Sequence, residues 1–190
     1  MIDALSRFWQ QDHKIAKERA EFPELLTIAE GGAVAVNIRR ALKIAFPGHK
    51  FSVRTVHHGT VYVHWTDGPT LAEVESITDR HESGHFDGMT DSYDYLRGDA
   101  AIFGDLFGDT RFIFCTRDYS EAAVQFAIER VSERNWNGWK SITLEDYRSG
   151  RAWQMNDGGT GYSWYSEIRE VLEVVEGYYH PSTYMMQAKG

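Results

Sequence analysis

Between Phe51 and Thr66 two runs alternate apolar with polar side chains, and only His58 and Gly59 part them. The alternation puts Phe51, Val53 and Thr55 on one face of the first run, and Val61, Val63 and Trp65 together on the second. Successive side chains of a strand point to opposite faces, so a period of two marks a strand buried on one side. Two such runs joined by a tight glycine-containing turn predict an antiparallel hairpin, Phe51–His57 with Thr60–Thr66. Asp67-Gly68-Pro69 then breaks the extended chain. Thr70, with Glu73 three residues on, reads as a capping pair in which each side chain satisfies an orphan amide at a helix start. Leu71, Val74, Ile77 and Thr78 give that helix an inner face, expected to lie on Val61, Val63 and Trp65. A hairpin covered by a helix on one side confines the chain to architectures mixing a small sheet with helices.

Elsewhere the apolar period is helical. Leu5, Phe8, Trp9, Ile15 and Ala16 predict an amphipathic helix over residues 4–20, and Val34, Ile38, Leu42 and Ile44 a second one ended by Pro47-Gly48. From Gly84 to Thr110 glycines recur and the chain reads as irregular. Arg111–Thr116 reads as a buried strand. Ser120–Arg134 is a helix with Ala123, Val124, Ala127, Ile128 and Val131 on one face, closed by Asn135–Gly138. Residues 141–155 read as weakly patterned strand and Asp157–Gly161 as a loop. Ser163 opens a last helix with Ile168, Val171, Leu172 and Val175 inward and Gly177 as its cap. The expected class is α+β, a small antiparallel sheet packed with several helices. It divides into a helical segment 1–33, a domain 34–110 and a C-terminal α/β portion 111–190 on the same core.

The 190 residues are 42% hydrophobic and 25% charged, an ordinary globular balance. A net charge of −8 argues against direct nucleic-acid binding and against an anionic membrane, and favours a basic protein as partner. Cys115 is the single cysteine, so no internal disulfide can form, which suits a reducing cytoplasm. Met1-Ile2-Asp3-Ala4 carries no basic lead into an apolar run, so no secretory leader is expected. Six tryptophans, with Trp136, Trp139, Trp153, Trp164 and the Tyr178-Tyr179 pair in the second half, supply core and any exposed anchor for a partner. No phosphate-binding loop, dinucleotide fingerprint or serine-nucleophile elbow is present.

One motif points to metal chemistry. His81-Glu82-Ser83-Gly84-His85 is an HExxH, and with Gly88 and Asp91 it extends to HExxHxxGxxD. On a helix His81 and His85 would project from one face and hold zinc, with Asp91 as third ligand and Glu82 acting on the metal-bound water. That is the alternative expectation, a small zinc-dependent metallopeptidase. Against it, Gly84 inside a helix costs about 1 kcal/mol relative to alanine. His81 also falls in register with Leu71, Val74 and Thr78, as part of a buried face would. Cys115, between Phe114 and Thr116, reads as core rather than nucleophile.

A second pattern points elsewhere. NIRRALKIAFPGHKFSVRT, VYVHWTDGPT and FDGMTDSYDY, in that order from Asn37 to Tyr95, resemble the large polyvalent protein associated domain numbered twenty-nine, over about residues 34–95. The resemblance implies a phage or conjugative-element protein deployed on entering a host. It implies no reaction, no cofactor and no catalytic residues. The expected function is counter-defence in the host cytoplasm by binding and inhibiting a host protein or nucleoprotein complex, such as CRISPR or restriction machinery. Asp87, Asp91, Asp94, Asp99, Asp105 and Asp109 form an acidic stretch interrupted by one base, Arg97, and are the expected contact residues for that partner.

Overall fold

The computed structural model describes residues 2–56, 59–134, 142–155 and 161–175. The expected hairpin is there. Strand β1 (Phe51–Thr55) runs antiparallel to β2 (Val61–Thr66), with Phe51 opposite Trp65 and Thr55 opposite Val61. Gly59 in the connection has φ 80°, a region that suits glycine. A further strand, Ile113–Asp118, joins the other edge of β2. Val61 donates to the Phe112 carbonyl and Asp67 to that of Asp118. Both strands advance together between these bonds, so they run parallel and the sheet is mixed rather than antiparallel throughout. A parallel pair needs a long crossover, and this one carries a helix, a second hairpin and another helix.

The chain packs as two compact units, Met1–Trp65 with Ala72–Thr116, and Thr66–Leu71 with the chain from Arg117 onward. The first unit begins with α1 (Ile2–Glu21), followed by a turn in which Thr27 and Glu30 cap one another, and by α2 (Val34–Ala45). Ile38 and Leu42 of α2 pack against Val53, Val61, Val63 and Trp65. Complete burial of such side chains contributes about 1.5–3 kcal/mol each. Helix α3 (Leu71–Thr78) starts directly after Thr70 and lays Val74 on the same cluster, with Ile77 packed against it and Thr78 buried, whereas Leu71, expected on that inner face, is exposed in the first turn. Ile44 departs from expectation and is exposed. An inward place on α2 goes instead to a polar residue, Asn37. Its amide donates to Leu26 O at 2.8 Å and Phe107 O at 2.7 Å, and accepts from Leu26 N at 2.9 Å.

The stretch read as irregular is not. Strands β3 (Gly84–Asp87) and β4 (Ser92–Tyr95) pair antiparallel, and α4 (Ile102–Phe107) follows a 3-10 turn. Four-residue strands of mixed polarity are too short to print a period. The strand read as buried over Arg111–Thr116 is β5 (Ile113–Asp118), an edge strand covered on one face, so Phe114 is exposed.

In the second unit α5 (Glu121–Arg134) buries the five residues its spacing singled out. They pack with Trp164 and Ile168 of α7 (Trp164–Glu170) and with Val171 and Leu172 of the π-helical turn after it. Ser163 caps α7, its hydroxyl accepting the Ser166 amide. The strand expected over 141–155 is replaced by α6 (Leu144–Arg148), capped by Thr143 and Asp146, and a 3-10 turn at Arg151–Trp153. Asp67, with φ 57°, turns the chain after β2 and accepts the Ser120 amide at 2.9 Å. The Ser120 hydroxyl in turn accepts the Ala123 amide at the head of α5. Arg117 is buried nearby and donates to Gly68 O and Leu172 O. His57, His58, Trp136, Trp139, Gly177, Tyr178 and Tyr179, the 135–138 closure and the 156–160 part of the loop lie outside the described residues. No helix among the described residues is long and apolar enough to cross a membrane.

Candidate functional site

The helix that an HExxH zinc site requires ends before the motif does. Helix α3 stops at Thr78, a 3-10 turn covers Asp79–His81, and Glu82 is already extended at φ −82°, ψ 133°. The four residues then do four different things. His81 is 1% exposed, with Nδ1 3.0 Å from Gly108 O and its ring edge-on to Phe103 at 4.9 Å. Burial holds its pKa below the ordinary histidine value, against the opposing pull of the Gly108 carbonyl. Glu82 accepts the Ile113 amide at 3.0 Å, so its carboxylate pins the first residue of β5. Burial is the larger influence on Glu82 and raises its pKa; the Ile113 amide works against that.

His85 stands exposed on β3, across from Asp94 on β4, with Nε2 3.9 Å from Oδ2. Asp91 sits at φ 50° in the turn between those strands. Among the described residues no three His, Cys, Asp or Glu side chains gather where they could hold one metal ion. The helical placement on which the zinc expectation rested is therefore corrected. Gly84 also has another reason to be glycine. A β-carbon there would come within 2.1 Å of the Asp94 carbonyl oxygen, so the close approach of β3 to β4 demands it.

What the motif builds instead is a projecting hairpin. The Asp87 carboxylate folds its turn, accepting the Met89 amide at 2.8 Å and the Thr90 hydroxyl at 2.9 Å. Those bonds hold its pKa below the usual carboxylate range. Met89 is thereby held out at the tip, 97% exposed. Phe86 on β3 is exposed too, and so are Tyr95 and Leu96 at the opposite end of the hairpin. The base of the hairpin is tied down by Leu96 N to Ser83 O and Ser83 N to Thr110 O, both 2.8 Å, and by the Tyr93 hydroxyl to Arg111 O at 2.8 Å.

Of the six aspartates expected to form one acidic surface, Asp87, Asp91 and Asp94 belong to this hairpin. The other three lie on other elements: Asp99, paired with Lys14, in the 3-10 turn, Asp105 in α4, and Asp109 after it. Sequence reasoning missed the apolar part of the surface, although Phe86, Met89 and Tyr95 among aspartates were there to be seen. It also missed a pocket beside His81, lined by Phe22, Leu25, Ile77, Arg80 and Phe103. Cys115 touches the Thr78 hydroxyl at 3.5 Å, and burial pushes its thiol up to about 11.

Fold and site together describe an α+β domain whose mixed sheet and capped helices hold out a rigidly based hairpin. Residues 29–120 match the family described as large polyvalent protein associated domain 29, a family associated with phages and other mobile elements. Comparison with curated proteins and with solved structures finds no match.

Proposed function

We propose that the protein is a counter-defence factor of a mobile element. It binds and inhibits a host protein or nucleoprotein complex, of the CRISPR or restriction kind, in the host cytoplasm. The observation that supports this reading is the β3–β4 hairpin, with Met89 open at its tip, Phe86 exposed along β3 and Tyr95 exposed at the base of β4, and with Asp87, Asp91 and Asp94 distributed along it. An exposed apolar patch rimmed by charge is the common anatomy of a docking surface. Methionine and aromatic side chains supply burial on contact and adapt to the partner's shape. The carboxylates speed encounter with a basic surface, such as proteins that handle nucleic acids present.

The test is a titration of purified protein against reconstituted defence complexes. Inhibition is expected to reach its end point at one equivalent, with the target covalently unchanged, and Met89→Asp is expected to weaken it about tenfold or more. Inhibition at a small fraction of an equivalent, or a cleaved or modified target, would show an enzyme and end this reading.

A further inference from the structure

Tyr62 on β2 stands directly opposite Arg54 on β1, and the Phe114 ring of β5 lies 5.3 Å from the Tyr62 ring. These side chains form one row across all three strands, on the face turned away from buried Val61 and Val63. Both rings are open to solvent, Tyr62 at 44% and Phe114 at 48%. The row continues off the sheet. Phe112 stacks beside Phe114 at 6.2 Å and 14°, and Tyr93 meets Phe112 at 5.5 Å. The Arg111 guanidinium lies over both of those rings. A groove borders the row at Arg39, Arg54, Tyr62, His64 and Thr116, and none of the described residues lining it is acidic. In a chain of net charge −8 that is a local reversal of sign.

We infer that this face seats single-stranded DNA. Exposed rings on adjacent strands of an open sheet are stacking platforms for unpaired bases, an arrangement sheet-based readers of single strands share. Guanidinium groups beside the rings neutralise the phosphates between those bases. Tyr62 and Phe114 take the bases, Arg54 and Arg39 the backbone on one side, and Arg111 the backbone on the other. A duplex hides its base faces and cannot use the rings. The overall negative charge keeps the affinity moderate and local. This seat lies on the sheet, not at the hairpin tip, and stands independently of the counter-defence reading.

The experiment is fluorescence anisotropy of the full chain with a labelled oligo-dT of about 15 nucleotides, within the range of about 4–16 that one such surface covers. Saturable binding is expected, weakened about tenfold by Tyr62→Ala and by Phe114→Ala and retained by Tyr62→Phe, which keeps the ring. Arg54→Glu is expected to weaken it and to flatten its dependence on salt. Circular dichroism and thermal melting show that each variant is folded. Absence of binding overturns the assignment. So does binding untouched by Tyr62→Ala and Phe114→Ala in folded protein, or equal affinity for the duplex or for the RNA of the same sequence.

Discussion

The imidazole Nδ1 of His81 lies 3.0 Å from the carbonyl oxygen of Gly108, deep in the first unit. With that oxygen as acceptor, Nδ1 carries a proton, and burial disfavours a second one on Nε2. Because burial depresses the folded pKa below the ordinary value of about 6.5, the unfolded chain takes up a proton before the native one does. The stability His81 contributes is whole above about pH 6.5 and declines as pH falls toward the lower, folded pKa. The melting temperature of the parent should therefore fall relative to that of His81→Asn, which still offers a donor to Gly108, as pH drops from 7 to 5. Glu75, Asp79 and Glu82, whose pKa values burial raises, pull the opposite way in both proteins and cancel in the comparison. Parallel slopes would refute the assignment.

Asn37 serves three backbone groups, Leu26 N, Leu26 O and Phe107 O, from a fully buried position on α2. Asn37→Ala leaves all three without that partner, at about 1–3 kcal/mol for each buried group stranded. Even about 3 kcal/mol in total lowers the melting temperature by roughly 6–12 °C in a chain of this size. Its neighbour Ile38, also fully buried, should lose only about 0.5–1.5 kcal/mol as Ile38→Val. Chemical denaturation of the two variants gives the ranking directly; a milder effect at Asn37 than at Ile38 contradicts it.

Gly84→Ala should open the β3–β4 hairpin while leaving the distant core intact, because the new β-carbon meets the Asp94 carbonyl at 2.1 Å. Local opening is read by limited chymotrypsin digestion. Cleavage after Phe86 or Tyr93 is expected to speed up about tenfold or more, with little change in the cooperative melt. Digestion at the parent rate would mean that β3 tolerates the methyl group.

The thiol of Cys115, pushed up to about 11 by burial, holds little thiolate at neutral pH. Native protein should react with a disulfide reagent at pH 8 about a hundredfold more slowly than urea-unfolded protein. Equal rates would place the sulfur at the surface.

The first hairpin was legible because Val61, Val63 and Trp65 alternate without interruption and a single buried face rewards that alternation. The helices at Val34, Leu71 and Glu121 were legible for the same reason at the helical period. His85 and Asp91 misled because a motif defines spacing, and spacing means one thing on a helix and another on a hairpin. Gly84 carried a signal for close backbone approach that resembled a mere helix defect. Helix α6 had its sign in plain view, Thr143 with Asp146 three residues on, but five residues offer too little apolar pattern to support it. The positions of Asn37 and Phe114 depend on partners as distant in sequence as Phe107 and Tyr62, which no local window contains.

The parallel docking of β5 on β2 has a consequence for how the protein is made. When the ribosome has finished β2, the strand that will cover its second edge is still about fifty residues from being synthesised. At about 5–20 residues per second that is roughly three to ten seconds. Through that interval β1 and β2 form a two-stranded ribbon with an apolar face and an open edge, a combination prone to pairing with other chains. Helix α2 precedes both strands and is already available to shield the face. The edge has no such early cover, so dependence on chaperones during overexpression should trace to the wait for Ile113–Asp118.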